Sequence, residues 1–384
     1  MALFKRKTEN PDKICALQTN RGDGGFSMNL LRYQSLVGGE EALYRQLRES
    51  VPIIDAAIVK LVRLCGGFTV ECFDSTAQLQ IDSFLRSVKV GAFGTGIDIF
   101  VNSYLEQLLT YGTAVGEILP VKSGKRIGAL YNVPLSCLEF ERDDNSPMSV
   151  RLCSKRGLDC VPIKMPEYIA VSTLNPEPGE FKGVSILRGL PFVSSILMGI
   201  YNSVGLNWER LGNLRYAVTY RPGNDSMDGA FAAERAKQIA SEWTKAMENT
   251  KSGRISDFVA VGDVSIKVIG ADNQILDSEI PVRQMLEQIV AKLGVPPFLL
   301  GLSWSSTERM SVQQADILTS ELESYRRIVT PVIEKICNMQ LAMQGFRCGC
   351  NVQWSTINLL DSVEEARARL YDAQARALSN ESEE

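Results

Sequence analysis

Between Ala315 and Met339 the apolar residues Ala315, Leu318, Leu322, Tyr325, Val329, Val332, Ile336 and Met339 recur at spacings of 3-4-3-4-3-4-3. Spacing of this kind is a heptad seam, and it commits the segment to one long helix with a single buried stripe. Pro331 stands inside that stripe. Proline has no amide to bond the Arg327 carbonyl, and its ring crowds the preceding turn, so the helix is expected to kink there. A straight coiled coil tolerates that poorly. A bent helix suits it.

The rest of the chain alternates between helical and strand periods, which makes the fold class α+β. Helices are expected at Glu40–Arg48, at Pro52–Leu64 before Gly66-Gly67, and from Ser75 through Leu79, Phe84 and Val88. The glycines of Gly91-x-x-Gly94-x-Gly96 lack the order of a phosphate-binding loop and read as a connection between helices. Ile97–Tyr111 is amphipathic and stops at Gly112. Phe68–Phe73, Ala114–Val121, Ile127–Glu141 and Ser149–Val171 read as β. A turn-rich linker, Asn175-Pro176-Glu177-Pro178-Gly179, then leads to a long helical tract, Leu190–Leu211, with Ser194, Ser195, Gly199, Ser203 and Gly205 inside it.

Beyond that tract the periods describe a small lobe. Leu214–Tyr220 is strand-like, and Ala230–Glu248 is a helix placing Ala232, Ala236, Ile239, Trp243 and Met247 on one face. Two strands follow, Asp257–Val261 and Val264–Ile269, before another helix at Ile280–Leu293. A helix leaving a body, a mixed lobe and a helix returning describe a protrusion on a two-helix stalk. After the kinked helix, Asn351–Thr356 adds a strand and Val363–Leu378 an acidic helix.

Composition removes whole classes of function. The 384 residues include no histidine, so Ser-His-Asp triads, Cys-His dyads, His-ligated zinc and imidazole switches are all excluded. Lys and Arg number 41 against 45 Asp and Glu, a net charge of −4, which is unlike a protein that wraps phosphates with a basic surface. Seven acids against three arginines in residues 361–384 account for all of that excess. The sequence from Met1 to Lys7 precedes no apolar h-region, and the apolar tract around Phe192–Tyr201 is far short of the ~20 residues of a membrane helix. A soluble chain made in a cytosol is expected. The nine cysteines, an odd count, read as small buried hydrophobes, and Cys348-x-Cys350 lacks the further ligands of a tetrahedral site. Glu141, Asp143 and Asp144 are the only local carboxylate group that could hold magnesium, and a solvated hairpin end is the better reading, because nothing nearby completes a coordination shell. No catalytic residue, cofactor or metal is expected.

The run Leu293-Gly-Val-Pro-Pro-Phe-Leu-Leu-Gly301 sits between an amphipathic helix and Ser303-Trp304-Ser305-Ser306-Thr307, with the proline-bearing helix next. Together with Gly112-Thr113-Ala114, with Leu130-Tyr131-Asn132-Val133-Pro134 and with Gly183-Val184-Ser185, this order resembles the phage portal protein family of tailed double-stranded DNA viruses, in its compact siphophage form. The likeness spans roughly residues 40–360.

The resemblance implies a portal fold and assigns regions by position. Residues 1–25 would be a flexible arm, 26–182 and 312–360 an α/β wing that includes the kinked helix, 183–213 and 271–293 two stem helices, 214–270 a small α/β clip, 294–311 the tunnel-loop region and 361–384 a short acidic crown. It implies a ring, usually of twelve subunits, at one capsid vertex of the virion, through which double-stranded DNA is packaged and ejected without enzymatic chemistry. Implied partners are the terminase large subunit, the major capsid protein and a head–tail adaptor, with no membrane. Ser303, Trp304, Ser305, Ser306, Thr307, Glu308 and Arg309 would line the channel. Ala232, Ala236, Ile239, Trp243 and Met247 would form the core of the docking lobe. Two other readings stay open at this point: a coiled-coil scaffold resting on the seam alone, and a magnesium-dependent nucleic-acid enzyme resting on Glu141, Asp143 and Asp144.

Overall fold

A computed structural model describes residues 40–142, 150–156, 159–212, 215–221, 263–269, 278–302 and 308–357, with isolated helical positions between 234 and 244. The chain divides into two compact units: Leu197–Arg283, and the residues before and after that insertion.

The larger unit opens with two helices, α1 (Glu40–Ser50) and α2 (Pro52–Leu64), the second starting on a proline whose fixed φ suits a first turn. Strand β1 (Phe68–Cys72) leads to α3 (Ser75–Ser87), capped by Asp74, whose side chain accepts from the Thr76 amide at 2.7 Å. The buried face of α3 is Ala77, Ile81 and Phe84, with Val88 buried just beyond its end, while Leu79 is 71% exposed. The apolar stripe is therefore spaced 4-3-4 from Ala77, and Leu79 falls on the opposite side, which corrects its expected place on that face.

The glycine segment after α3 is also not a plain connection between helices. Lys89–Val90 (β2) and Gly94–Thr95 (β3) pair with each other, and β2 joins β5 (Ile127–Asn132) in parallel. With β4 (Thr113–Pro120) and β9 (Ile169–Thr173) they complete a five-stranded sheet in the order β3-β2-β5-β4-β9. Seven successive residues of β4 are buried, the signature of a strand covered on both faces. Helix α4 (Ile97–Tyr111) packs on it with Phe100, Tyr104, Leu105 and Leu108, each at most 1% exposed, and the Tyr104 hydroxyl donates to the Ala114 carbonyl. Burial of side chains of this size contributes about 1.5–3 kcal/mol each, so α4 and β4 form the centre of the core.

Strands β6 (Leu138–Arg142), β7 (Val150–Arg156) and β8 (Asp159–Pro162) make a separate antiparallel meander. Phe140 and Leu152, opposed in register, pack with Leu138 on a second apolar cluster with Val115, Val133 and Ile169. Helix α5 (Leu190–Gly212) follows, then β10 (Arg215–Arg221) paired antiparallel with β11 (Asp263–Ile269), α6 (Glu279–Leu293), the long α7 (Glu308–Met343) and β12 (Cys350–Trp354), which pairs with β1. The division between the two units falls inside α5 and α6.

The seam is buried over seven of its eight positions, and Met339 at its end is half-buried. Ala315, Leu318, Leu322, Tyr325, Val329, Val332 and Ile336 are all buried, and past the proline Ile333, Cys337, Gln340 and Leu341 join them. One helix face therefore packs on β9, β12 and α3 of its own chain, an intramolecular use of a heptad pattern and not a coiled coil. Of the expected elements, the strand at Asp257–Val261 and the acidic helix at Val363–Leu378 lie outside the described residues.

Candidate channel and assembly surfaces

The best-defined feature is the root of α5. Gly112 ends α4 in the left-handed region at φ 75°, its amide bonded to the Leu108 carbonyl. Its own carbonyl accepts from the Leu174 amide at 2.7 Å, and the Leu174 carbonyl accepts from Val184 at 2.7 Å. A side chain at Gly183 would stand 2.0 Å from the Gly112 carbonyl oxygen and 2.4 Å from the Leu174 nitrogen. Only a glycine fits. The Gly183 amide bonds the Thr113 hydroxyl at 2.9 Å, and Ser185 donates from its hydroxyl to the Thr110 carbonyl at 2.6 Å. Two motifs seventy residues apart in sequence, Gly112-Thr113-Ala114 and Gly183-Val184-Ser185, thus form one knot from which the chain enters α5. Residues 183–189 are turn and irregular backbone, so the helix starts at Leu190, where the sequence pattern puts it, and not at 183, the start that the resemblance implied for the stem.

From that root α5 presents large apolar side chains to solvent. Phe192 is 73% exposed and Trp208 61%, with Ile196, Tyr201 and Leu206 also exposed, and Ile280 does the same on α6. Space is open around Gly199 and Gly205. Exposed aromatics beside open small-residue positions are the surface of an element that has room for a partner.

The second surface is the approach to α7. After α6, Val295 and Pro296 are buried, Pro297–Leu300 makes a 3₁₀ turn packed on α2, and Leu302 donates to the Pro297 carbonyl. Ser303, Trp304, Ser305, Ser306 and Thr307 lie outside the described residues. Glu308 and Arg309, expected in the loop, belong instead to the first turn of α7. Arg309 is exposed, as are Met310, Asp316 and Ile317 along the N-terminal third of the helix.

The C-terminal part of α7 is anchored by polar contacts that no sequence pattern announces. Arg326, 7% exposed, donates through Nε and Nη2 to the Cys65 carbonyl at 2.8 and 2.6 Å, and its guanidinium lies 5.1 Å over the Trp354 ring. Burial lowers its pKa, and burial likewise lowers that of Lys335, whose ammonium donates to the Ile169 carbonyl. Trp354 in turn donates to the Thr330 hydroxyl, which donates to the Arg326 carbonyl. Gln340 accepts from the Ile127 amide. Pro331 lies within α7, next to Thr330, on its exposed side.

Of the remaining expected site residues, Ala232, Ala236, Ile239, Trp243 and Met247 lie outside the described residues, as do Asp143 and Asp144. Glu141 is on β6, where its carboxylate accepts from the Cys153 thiol at 3.3 Å. Among the described helices none is long and apolar enough to cross a membrane.

Comparison of the whole fold with solved structures gives extended matches. A chain of the native virion of a gene transfer agent particle superposes with a TM-score of 0.59 at 15% identity, over 90% of this chain and 91% of that one. A chain in the neck of the empty gene transfer agent particle gives 0.60 at 15% identity over 89% and 91%. The chain has the fold of that neck protein. In the neck of the native particle, computed with C12 symmetry, the corresponding values are 0.55, 15%, 87% and 88%. An HK97-family phage portal protein from Corynebacterium diphtheriae overlaps more weakly, with a TM-score of 0.43 at 12% identity over 84% of this chain and 96% of that one. No protein-family model and no curated protein matches the sequence. The α+β class expected from the sequence is the one observed, with chains of gene transfer agent particles as its structural neighbours.

Proposed function

We propose that this chain is a portal subunit. Copies would assemble as a ring, with twelve subunits the expected number, at one vertex of a virion, and DNA would pass through its centre during packaging and ejection. The observation that carries this reading is the similarity of about nine-tenths of the chain to a chain in a neck solved with C12 symmetry. The apolar side chains exposed along α5 support it, because packing against neighbouring subunits would cover them.

The chain would act as a conduit and not as an enzyme, and the absent histidine fits a role in which no proton is moved. A conduit has to let a polyanion slide. Each phosphate neutralised by a fixed cation adds affinity through counterion release, so a strongly basic bore would retain the duplex. The hydroxyl-rich Ser303–Thr307 segment with the single aromatic Trp304, followed by the opposed charges of Glu308 and Arg309, suits sparse and non-specific contact. Residues 294–311 would form the tunnel region, 214–270 the clip on which the terminase large subunit docks before a head–tail adaptor replaces it, and the wing would face the major capsid protein.

Negative-stain images of the purified protein test the reading first. Rings with a central channel are expected, whereas a uniform monomer at every concentration and salt would sink it. Trp304→Ala and Arg309→Glu test the tunnel: both should alter packaging or DNA retention in particles that still assemble, and unchanged values would remove these residues from the channel.

A further inference from the structure

The β6-β7-β8 meander has one face on the apolar cluster and one face turned away from it. Register assigns the outer face: Glu139 lies opposite Cys153, Glu141 opposite Arg151, and Lys155 opposite Cys160. The side chains of Glu141, Cys153 and Cys160 converge there, with one ligand atom from each lying within 4.8 Å of the other two. Each comes from a different strand. Cys153 is 1% exposed even though it stands on the outer face, and its thiol donates to Glu141 at 3.3 Å. Glu139, on the same face, lies opposite Cys153 and pairs with Lys155 at 3.8 Å.

We propose that Glu141, Cys153 and Cys160 form a binding site for a thiophilic divalent cation of the zinc class, with Glu139 or water as the fourth ligand. Two sulfurs and a carboxylate oxygen are a donor set that favours zinc and disfavours magnesium or calcium, which take oxygen alone. The distances are compatible with a small contraction: two thiolates bound at 2.3 Å in a tetrahedron stand about 3.7 Å apart. Charge is compatible as well. Two thiolates and two carboxylates, set against the Arg151 and Lys155 side chains of the same face, leave an excess of two negative charges for a divalent ion to balance.

The site would also supply something the meander lacks. The sheet has only three short strands, and among the described residues β8 is an edge strand ending in Pro162. A metal ligated by β6, β7 and β8 together would tie all three strands at one point, so binding energy would appear as stability of the sheet. A thiol has to lose its proton to ligate a metal, so binding here releases protons.

The test is titration of the full-length, reduced protein with Zn²⁺ against a chromophoric chelator, and with Co²⁺ to read coordination. One metal per subunit and the intense visible absorption of tetrahedral cobalt with thiolate ligands are expected. Cys153→Ser should weaken binding by about 100-fold or more, and Glu141→Gln by about 10- to 100-fold. Glu141 is only half-buried, so the second variant keeps the fold if the first does not. Cys350→Ser serves as the control, because Cys350 faces Cys72 across β1–β12 and lies beside Cys337, the other place where thiols gather. Undiminished binding in Cys350→Ser supports the proposal. Absence of zinc binding, binding indifferent to Cys153→Ser and Glu141→Gln, or binding lost in Cys350→Ser overturns it.

Discussion

The knot at the root of α5 and the α5 helix that grows from it are adjacent in sequence and opposite in character. Around Gly112, Leu174 and Gly183 every backbone approach is close, and Thr110, Thr113 and Ser185 are buried and hydrogen-bonded. A few residues later Phe192, Tyr201, Leu206 and Trp208 stand in solvent. The first region is complete within one chain. The second carries aromatic area that a single chain leaves uncovered, and a protein that assembles has reason to keep its stability in one place and its adhesiveness in another. Mutations in the knot should therefore unfold the subunit, and mutations on α5 should leave the subunit folded and change what it associates with.

The largest effect is expected from Gly183→Ala. Its methyl group would meet backbone on two sides, which cannot rotate away as a side chain can, so a loss of about 3 kcal/mol or more in urea unfolding is expected. A loss below about 1 kcal/mol would show that the knot is softer than its distances imply. Arg326→Met comes next. It strips the Cys65 carbonyl of both of its guanidinium donors and removes the stacking on Trp354, for a cost of about 2–3 kcal/mol by the same measurement. Arg326→Lys should recover only part of this, because an ammonium cannot present a planar fork.

On the other side of the comparison, Leu206→Glu with Trp208→Glu should change subunit stability by no more than about 0.5 kcal/mol while shifting the assembly to smaller species in light scattering. An unchanged assembly would mean that α5 is not the adhesive surface. The smallest effect is a pH dependence within the body. Burial raises the Cys65 thiol to about 12 from its usual 9.0. The unfolded chain therefore loses that proton first, so this contribution is fully present below pH 9 and declines as pH rises towards 12. Buried Lys335, with a lowered pKa, acts in the opposite direction. A Cys65→Ala variant should show a shallower alkaline fall in melting temperature than the parent protein.

Local signals account for much of the fold. The helix from Ile97 to Tyr111 ends where Gly112 ends it, and Pro52 and Asp74 start the helices that follow them, because caps and breakers act through neighbouring backbone. Leu79 lies on the exposed side because Ala77, Ile81 and Phe84 form the stripe that packs on β1, α4 and α7, and an apolar letter alone does not say which face a neighbour will cover. Long-range geometry was not legible. The Arg326–Cys65 contact joins residues 261 positions apart, and a buried arginine has the same letter in the sequence as a solvated one. Glu141 was readable only as one of three neighbouring acids. Its partners Cys153 and Cys160 become visible once strand register brings them beside it.

By itself, then, the sequence determined most of the periods: the helices that start at Glu40, Pro52, Ser75, Ile97 and Leu190, that Pro331 would sit inside a long helix, and that imidazole chemistry is absent. These follow from backbone stereochemistry and composition, which act over a few residues at a time. Tertiary structure decided that the heptad stripe would be buried by its own chain, that Gly183 would close on Gly112, and that two cysteines and a glutamate from three strands would meet. Those outcomes depend on which surfaces exclude water together, and that is settled only when the whole chain packs.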